Sequence, residues 1–373
     1  MALFIKLRGK RRNILCFMVP KMEQPHVDAF PHVSIIIPTR NGEKTVWTLL
    51  ESVMKVDYDK EKLDVIVVDG YSTDRTRELV SEYPVELVME DGHGLNAARN
   101  TGIKHSSGEI LLFTDCDCVV PKNWVRKIVE NFNDPNIGCV GGTVLGYNAD
   151  TFSSRYANET LFRIMPSFKT RIVTKNVHTL LYPAGCNMSF RRSVLDKTGL
   201  FNEDIRYGFD ETELVARVGE AGYNTVLDPE VLIYHRHRET IKEILKQIFG
   251  YARGSVLLIK KRGIRNRIGF LLALDMFGLI AGLLLFGLLI ASYFQTSNLL
   301  FVQLFLLLVF APFILAMIKY ALRALKTKNY LSIFTYPFID ALRIIAFSLG
   351  QWYQLFKRKP TYDMRKSRRV PTN

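Results

Sequence analysis

The sequence predicts an α/β domain on a doubly wound, mixed or parallel sheet, followed by C-terminal transmembrane helices. Three observations carry that expectation. Up to about Ile259, short continuous apolar runs alternate with amphipathic stretches across short polar connections, which is how strands buried on both faces read when helices separate them. From Ile268 to Phe356 the chain becomes long apolar blocks with few charges. The net charge of +14 brackets those blocks instead of forming a run with interleaved aromatics. A membrane surface, and no nucleic acid, is therefore the expected partner.

The elements follow in order. Residues 1–30 are a basic arm whose apolar stretch "NILCFMV" is too short and broken for a signal peptide; it touches the membrane surface or nothing. The folded domain is expected over 31–258. Val33–Ile37 is the first strand, and "KTVWTLLESV" after it is an amphipathic helix. Val65–Val68 repeats the unit and ends on Asp69, with Ser72 or Thr73 as the next helix cap. "PVELVME" is a third strand, "GLNAARNTGIKHS" a helix and "EILLF" a fourth strand. Ligands of such Rossmann-like sheets sit outside the carboxyl ends of the strands, where Asp69, Asp115 and Asp117 fall. No GxGxxG follows the first strand and no GxxxxGK[ST] occurs. The phosphates of a bound nucleotide would need another partner, and a divalent cation held by carboxylates is the obvious substitute.

The stretch "EILLFTDCDCVV" is where such a cation would sit. Period-2 alternation places Asp115 and Asp117 on one side of an extended backbone and Cys116 and Cys118 on the other. Paired carboxylates suit Mg2+ or Mn2+. A zinc site would need more soft ligands, and Cys139 and Cys186 lack a close pair spacing, so the cysteines read as small buried filler. Five scattered cysteines also argue against a disulfide framework and for a reducing compartment. An isolated Asp-x-Asp is common by chance; its place after the fourth strand makes this one informative.

The runs "IIIPTRNGEKT", "VIVVDGYSTDRT", "AARNTGI…GEILLFTDCD", "AGCNMSFRRSVLDKTGLFNE" and "DETELVARV" together resemble glycosyltransferase family 2, with its GT-A fold. The resemblance covers about Val33 to Arg253. It implies transfer of a sugar, with inversion, from a UDP- or GDP-linked nucleotide-sugar donor, assisted by Mg2+ or Mn2+. Carried over by position, Pro38, Glu43 and Asp69 would grip the nucleoside base, and Arg99 would lie near the base or diphosphate. Asp115 would face the ribose and the metal, and Asp117 would bind the metal. His235 or His237 would complete the metal shell or touch the diphosphate, unless they form a solvated cluster at a strand end. Gly185 and Asn187 in "YPAGCNMSF" would stand on the acceptor side. The family places an aspartate second in an acidic pair as general base; here "FDETEL" has Glu211 second and Asp210 first, so the base is one of these two. Gly70 and Tyr71 replace the usual acidic-glycine pair after Asp69, and the QxxRW of processive members is absent after Gln247. One sugar per encounter is implied.

The membrane module is expected over 259–373. Spans at about 268–294 and 299–318 are joined by the uncharged "SYFQTSN", which belongs outside, so the basic flanks and the catalytic domain belong in the cytoplasm. A multi-pass protein of the cell membrane results. In the block 331–356, Asp340, Arg343, Gln351 and Gln354 share one helical face. An in-plane amphipathic helix, which keeps the basic tail cytoplasmic, is favoured over a third span. Gly278 and Gly282 form a GxxxG that suggests a packing seam. Such an anchor points to an acceptor confined to the bilayer, a lipid-linked saccharide or glycolipid. The alternatives are a polyprenyl-phosphate sugar synthase and a catalytically inactive nucleotide-sugar-binding scaffold.

Overall fold

The computed structural model describes residues 30–148, 150–161, 163–175, 181–264 and 267–357. The expected basic arm and the basic tail after residue 357 lie outside the described residues.

Strands β1 (Val33–Thr39), β2 (Leu63–Asp69) and β4 (Ile110–Phe113) are continuous apolar runs because both their faces are covered. Alternate residues go to opposite cores. Ile35, Ile37, Val65, Val67 and Leu112 join one cluster, and Ile36, Ile66, Val68, Leu111 and Phe113 the other. Helices α1 (Val46–Met54), α2 (Thr76–Ser81) and α4 (Trp124–Asn131) cover the first face. Helices α3 (Leu95–His105), α6 (Arg192–Thr198) and α7 (Asp210–Glu220) cover the second. Each fully buried Leu, Ile, Val or Phe contributes about 1.5–3 kcal/mol relative to exposure. The expected cap of α2 is displaced: the helix begins at Thr76, and Ser72 instead donates its N–H to Asp69 Oδ2 at 2.8 Å.

The sheet also contains β3 (Glu86–Met89), β5 (Cys118–Val119), β6 (Ile137–Gly146), β7 (Ile172–Thr174), β8 (Met188–Arg191) and β9 (Asn224–His235). Its order among the described residues is β3-β2-β1-β4-β8-β6-β9-β5, with β7 also on β9. The β3-β2-β1-β4 half is parallel. β8 runs antiparallel to both neighbours, so the sheet is mixed.

Below the sheet lie α5 (Phe152–Glu159) and α8 (Ile241–Arg262), the latter opened by a Thr240/Glu243 capping box. Then come α9 (Arg267–Thr296), α10 (Leu299–Thr327) and α11 (Ser332–Phe356), all three long and apolar enough to cross a membrane. The polar face of α11 meets protein. Asp340 accepts from Tyr156, Thr160 and Tyr320, Gln351 Nε2 donates to Ser255 Oγ and to the Leu272 carbonyl, and Arg253 Nε donates to Gln354 Oε1. Packing on α5, α8 and α10 thus explains the stripe without an in-plane position. The expected Gly278/Gly282 seam is not one either: a Cβ at either glycine would meet nothing within 4 Å.

Candidate active site

The residues after β4 do not stay extended. The Cys118 N–H donates to the Asp115 carbonyl at 3.1 Å, closing a turn that delivers β5 to its antiparallel partner β9. The predicted alternation therefore fails at 115–117, because pairing with β9 requires the chain to turn. The turn sets Cys118 opposite His235 and brings His235 Nε2 to 3.4 Å from Asp117 Oδ1. Arg238 Nη1 stands 4.0 Å from Asp117 Oδ2. His237 is committed elsewhere, its Nε2 3.0 Å from Asn158 Oδ1. Cys118, Cys139 and Cys186 are buried and unbridged.

Arg99, from the first turns of α3, joins this carboxylate pair to a second one. It is 2% exposed, with Nη1 2.5 Å from Asp210 Oδ2 and Nη2 3.9 Å from Asp115 Oδ1. Phe201 lies under its guanidinium at 5.2 Å. Gly185 makes the room: a Cβ there would stand 2.5 Å from Arg99 Nη2. Asp210 and Glu211 open α7, where the helix dipole favours anions. The bend before them, Tyr207, Gly208 and Phe209, has φ of 78°, 129° and 65°, a left-handed run rare for the two aromatic residues. Asp210 is buried against Arg99, whereas Glu211 is half-buried and has no ion pair among the described residues.

The electrostatics follow from burial. It raises the Asp115 carboxyl above its ordinary range, against Arg99 and with Asp117; it raises Asp117 too, against Arg238. Burial, then Asp210, lifts Glu211 well above the usual glutamate value. Burial pulls His235 down to about 4, leaving a neutral imidazole at physiological pH. Asp115 Oδ1, Asp117 Oδ1 and His235 Nδ1 are buried without hydrogen-bond partners. Orphaned oxygens and a neutral imidazole fit a hard divalent cation. Among the described residues no three His, Cys, Asp or Glu side chains are grouped so as to hold a metal ion by themselves, so a cation here would depend on waters or a ligand's phosphates for most of its positions.

At the carboxyl ends of β1 and β2, Asp69 is fully buried; its Oδ2 holds the Ser72 N–H and its Oδ1 has no partner. Glu43 accepts from the Arg75 N–H at 3.3 Å, and Pro38 lies in register with Val68. None of these three lines the main cavity. Asn187 is a correction. It is fully buried, accepts from Trp124 Nε1 and donates to the Thr143 and Val231 carbonyls, so it ties β6 and β9 together and offers nothing to an acceptor.

A cavity of about 1640 Å³ runs from Arg40, Arg99 and Asp115 past Asp210 and Glu211 to α9, α10 and α11. Tyr182 and Tyr251 line it beside Glu211 and were not anticipated. Tyr251 had a signal, since it follows Gln247 at the spacing of the Trp in QxxRW. Tyr182 had none.

Comparison with known proteins gives the family. Residues 34–199 match the model of glycosyl transferase family 2. Glycosyltransferase AglE of Haloferax volcanii is 32% identical over 252 residues, covering 65% of this chain and 79% of that one. The chain belongs to glycosyl transferase family 2. Another relative, from Methanococcus voltae, is 24% identical over 72% of this chain and 87% of its own. It is named a dolichyl N-acetyl-alpha-D-glucosaminyl phosphate diacetamido-dideoxy-glucuronosyltransferase. The mannosyltransferase PcManGT of Pyrobaculum calidifontis, solved with GDP-Man and Mn2+, superposes with a TM-score of 0.55 over 88% of each chain at 20% identity. That likeness extends the shared fold to the family 2 domain described above.

Proposed function

We propose that this family 2 enzyme moves one hexosyl unit, with inversion, from a UDP- or GDP-sugar to a hydroxyl of a lipid-linked saccharide or glycolipid, at the cytoplasmic face of the cell membrane. The observation that carries the reading is the single cavity that holds Asp115, Asp210 and Glu211 at one end and is walled by the apolar helices α9 and α10 at the other. The names of the M. voltae and P. calidifontis proteins support a lipid-linked acceptor and a nucleotide-sugar donor.

In this reading Glu211 is the base. Asp210 is engaged by Arg99, which leaves Glu211 to take the proton from the acceptor hydroxyl. Its raised proton affinity suits that work near neutral pH. As the acceptor oxygen bonds to the anomeric carbon, the bond from that carbon to the diphosphate oxygen breaks. Asp69 Oδ1 and Glu43 would receive N–H groups of the base at the carboxyl ends of β1 and β2, beside Pro38. Gly185 acts through Arg99 instead of through the acceptor. Asp117, His235 and Asp115 would contribute to holding Mg2+ or Mn2+ only together with waters and the donor's phosphates. Bound there, the cation would offset charge on the leaving nucleoside diphosphate.

The test is nucleoside diphosphate release from a panel of UDP- and GDP-sugars by purified protein in lipid, with and without Mn2+, alongside nucleotide binding. Asp117→Asn should lower Mn2+-dependent turnover by about 10²–10³-fold, and Glu211→Gln acceptor-dependent transfer by about 10²–10⁴-fold. Full-rate transfer to a lipid phosphate by Glu211→Gln would show that the acceptor is the phosphate itself. No turnover together with no metal-dependent nucleotide binding would remove the enzyme assignment and leave a scaffold.

A further inference from the structure

The membrane end of the cavity carries an unused positive charge. Arg163 and Arg343 both line it, beside Ile344 and Phe347. Arg163 has no carboxylate within ion-pair distance among the described residues; the charge closest to it in effect is another arginine, Arg323. Arg343 bonds only through Nη1, to Tyr156, Thr160 and Asp340, and its Nε is buried without a partner. Among the described residues Asp340 is the one carboxylate that pairs with any of the three, and it is already shared among Tyr156, Thr160 and Tyr320. A buried guanidinium donor without an acceptor, as Arg343 Nε is, is costly unless a ligand supplies one, and Arg163 stands exposed beside it on the same cavity wall.

The walls beyond these arginines are apolar. Leu274, Leu283, Phe286, Phe305 and Leu308 line the cavity on α9 and α10. Gly278 and Gly282 line it too, and where they stand no side chain closes the space between the helices. An anion site that opens into a hydrocarbon slot fits a phosphate or diphosphate carried on a long apolar chain. Guanidinium groups match phosphate oxygens through paired N–H donors, and each buried CH2 of the chain adds about 0.8 kcal/mol.

We propose that Arg163 and Arg343 seat the phosphate or diphosphate of a lipid-linked acceptor, whose chain lies along α9 and α10 over Gly278 and Gly282. This rests on the function proposed above and selects among its acceptors. A lipid-linked saccharide with an anionic linkage is accepted, and an uncharged glycolipid is not. The acceptor's sugar then extends from the arginines toward Glu211.

The experiment uses full-length protein in a neutral detergent, saturated with UDP or GDP and Mn2+ to occupy the donor site. Farnesyl diphosphate, farnesol and inorganic pyrophosphate are titrated calorimetrically. Farnesyl diphosphate should bind at least about tenfold more tightly than either control, since it alone presents both halves of the ligand. Arg163→Gln and Arg343→Lys should each weaken it by about tenfold or more, the usual scale for a lost charged hydrogen bond. Gly282→Leu should weaken it while leaving pyrophosphate unchanged. Arg163 is exposed and unpaired, so its variant should keep the parent melting temperature, which secures the comparison if Arg343→Lys unfolds. Equal binding of farnesol would reduce the site to an apolar slot. Equal binding of pyrophosphate would remove the chain, and unchanged affinity in Arg163→Gln would remove the arginine seat; any of these overturns the proposal. Nucleotide binding in the same sample separates the two readings. If it persists while the lipid arms fail, this inference falls alone; if it is absent, the transferase reading falls with it.

Discussion

Two buried arginine–carboxylate clusters divide this molecule, and they are built with opposite imbalances. At the sheet end, Arg99 faces Asp115 and Asp210, with Asp117 and Glu211 close by. The orphaned atoms there include carboxylate oxygens. At the membrane end, Asp340 is saturated by two tyrosines, a threonine and Arg343, and no carboxylate oxygen is orphaned among the described residues there, whereas Arg343 Nε is, as Arg99 Nε is at the sheet end. Ion pairs that only hold a fold together tend toward balance, because each unpaired buried charge costs several kcal/mol. An anionic excess asks for a cation and a cationic excess asks for an anion. The contrast assigns the two ends of one cavity to different ligand chemistries.

The largest break in that contrast should come from Arg99→Met. It leaves Asp210 buried without its partner, and removal of one member of a buried pair costs about 3–5 kcal/mol. Thermal unfolding should show that loss, and Arg99→Lys should recover part of it. If Arg99→Met is as stable as the parent, the Arg99–Asp210 pair adds nothing to the fold and the anionic excess has been overstated. Asp340→Asn should cost less, about 2 kcal/mol, because the amide still accepts and the two tyrosine hydroxyls turn to suit it. Melting in detergent measures this. A loss equal to that of Arg99→Met would mean that the membrane-end cluster has no charge to spare, against the arginine seat.

These clusters also mark how much the sequence told. The apolar runs announced the β-strands because burial on both faces leaves no polar position in Ile35–Ile37 or Val65–Val68. Asp115, Asp117, Asp210 and Glu211 were legible from their place after β4 and before α7, and Arg99 from the start of its helix. What they do for one another was not, since the Arg99–Asp210 contact spans more than a hundred residues of chain. Asn187 was misread because its neighbours in sequence line the cavity, while the β6–β9 geometry that swallows its side chain is set elsewhere. The stripe on α11 was correctly seen as polar and wrongly expected to face the membrane surface. Periodicity shows that a face needs polar partners, not whether protein or headgroups provide them.

A smaller effect isolates the spacing around Arg99. In Gly185→Ala the new Cβ would lie 2.5 Å from Arg99 Nη2. The guanidinium is the far end of a long side chain and gives way, so the cost should be about 1 kcal/mol, the low end for overpacking. Its salt bridge to Asp210 should loosen, and turnover should fall with little change in donor KM. A change confined to acceptor KM would restore Gly185 to the acceptor side.

The smallest effect is the dependence of stability on pH that Glu211 imposes. Its folded proton affinity is raised, by burial first and by Asp210 second, above the ordinary value of 4.5. The folded state therefore holds this proton more tightly than the unfolded chain. That contribution to stability is fully present below the unfolded value and is lost as pH rises through the folded one. Glu211→Gln has no proton to lose, so its melting temperature should exceed the parent's on the alkaline side, by about 2 °C or more, with the gap closing on acidification. The same ionisation should govern rate in the other direction, because a general base works only when deprotonated. The acid limb of kcat/KM and the pH at which the two melting curves separate should then lie together, above 4.5. Coincidence would make the carboxylate that weakens the fold the one that performs the transfer. A rate limb in the ordinary carboxylate range, with no separation of the melting curves, would remove Glu211 as the base.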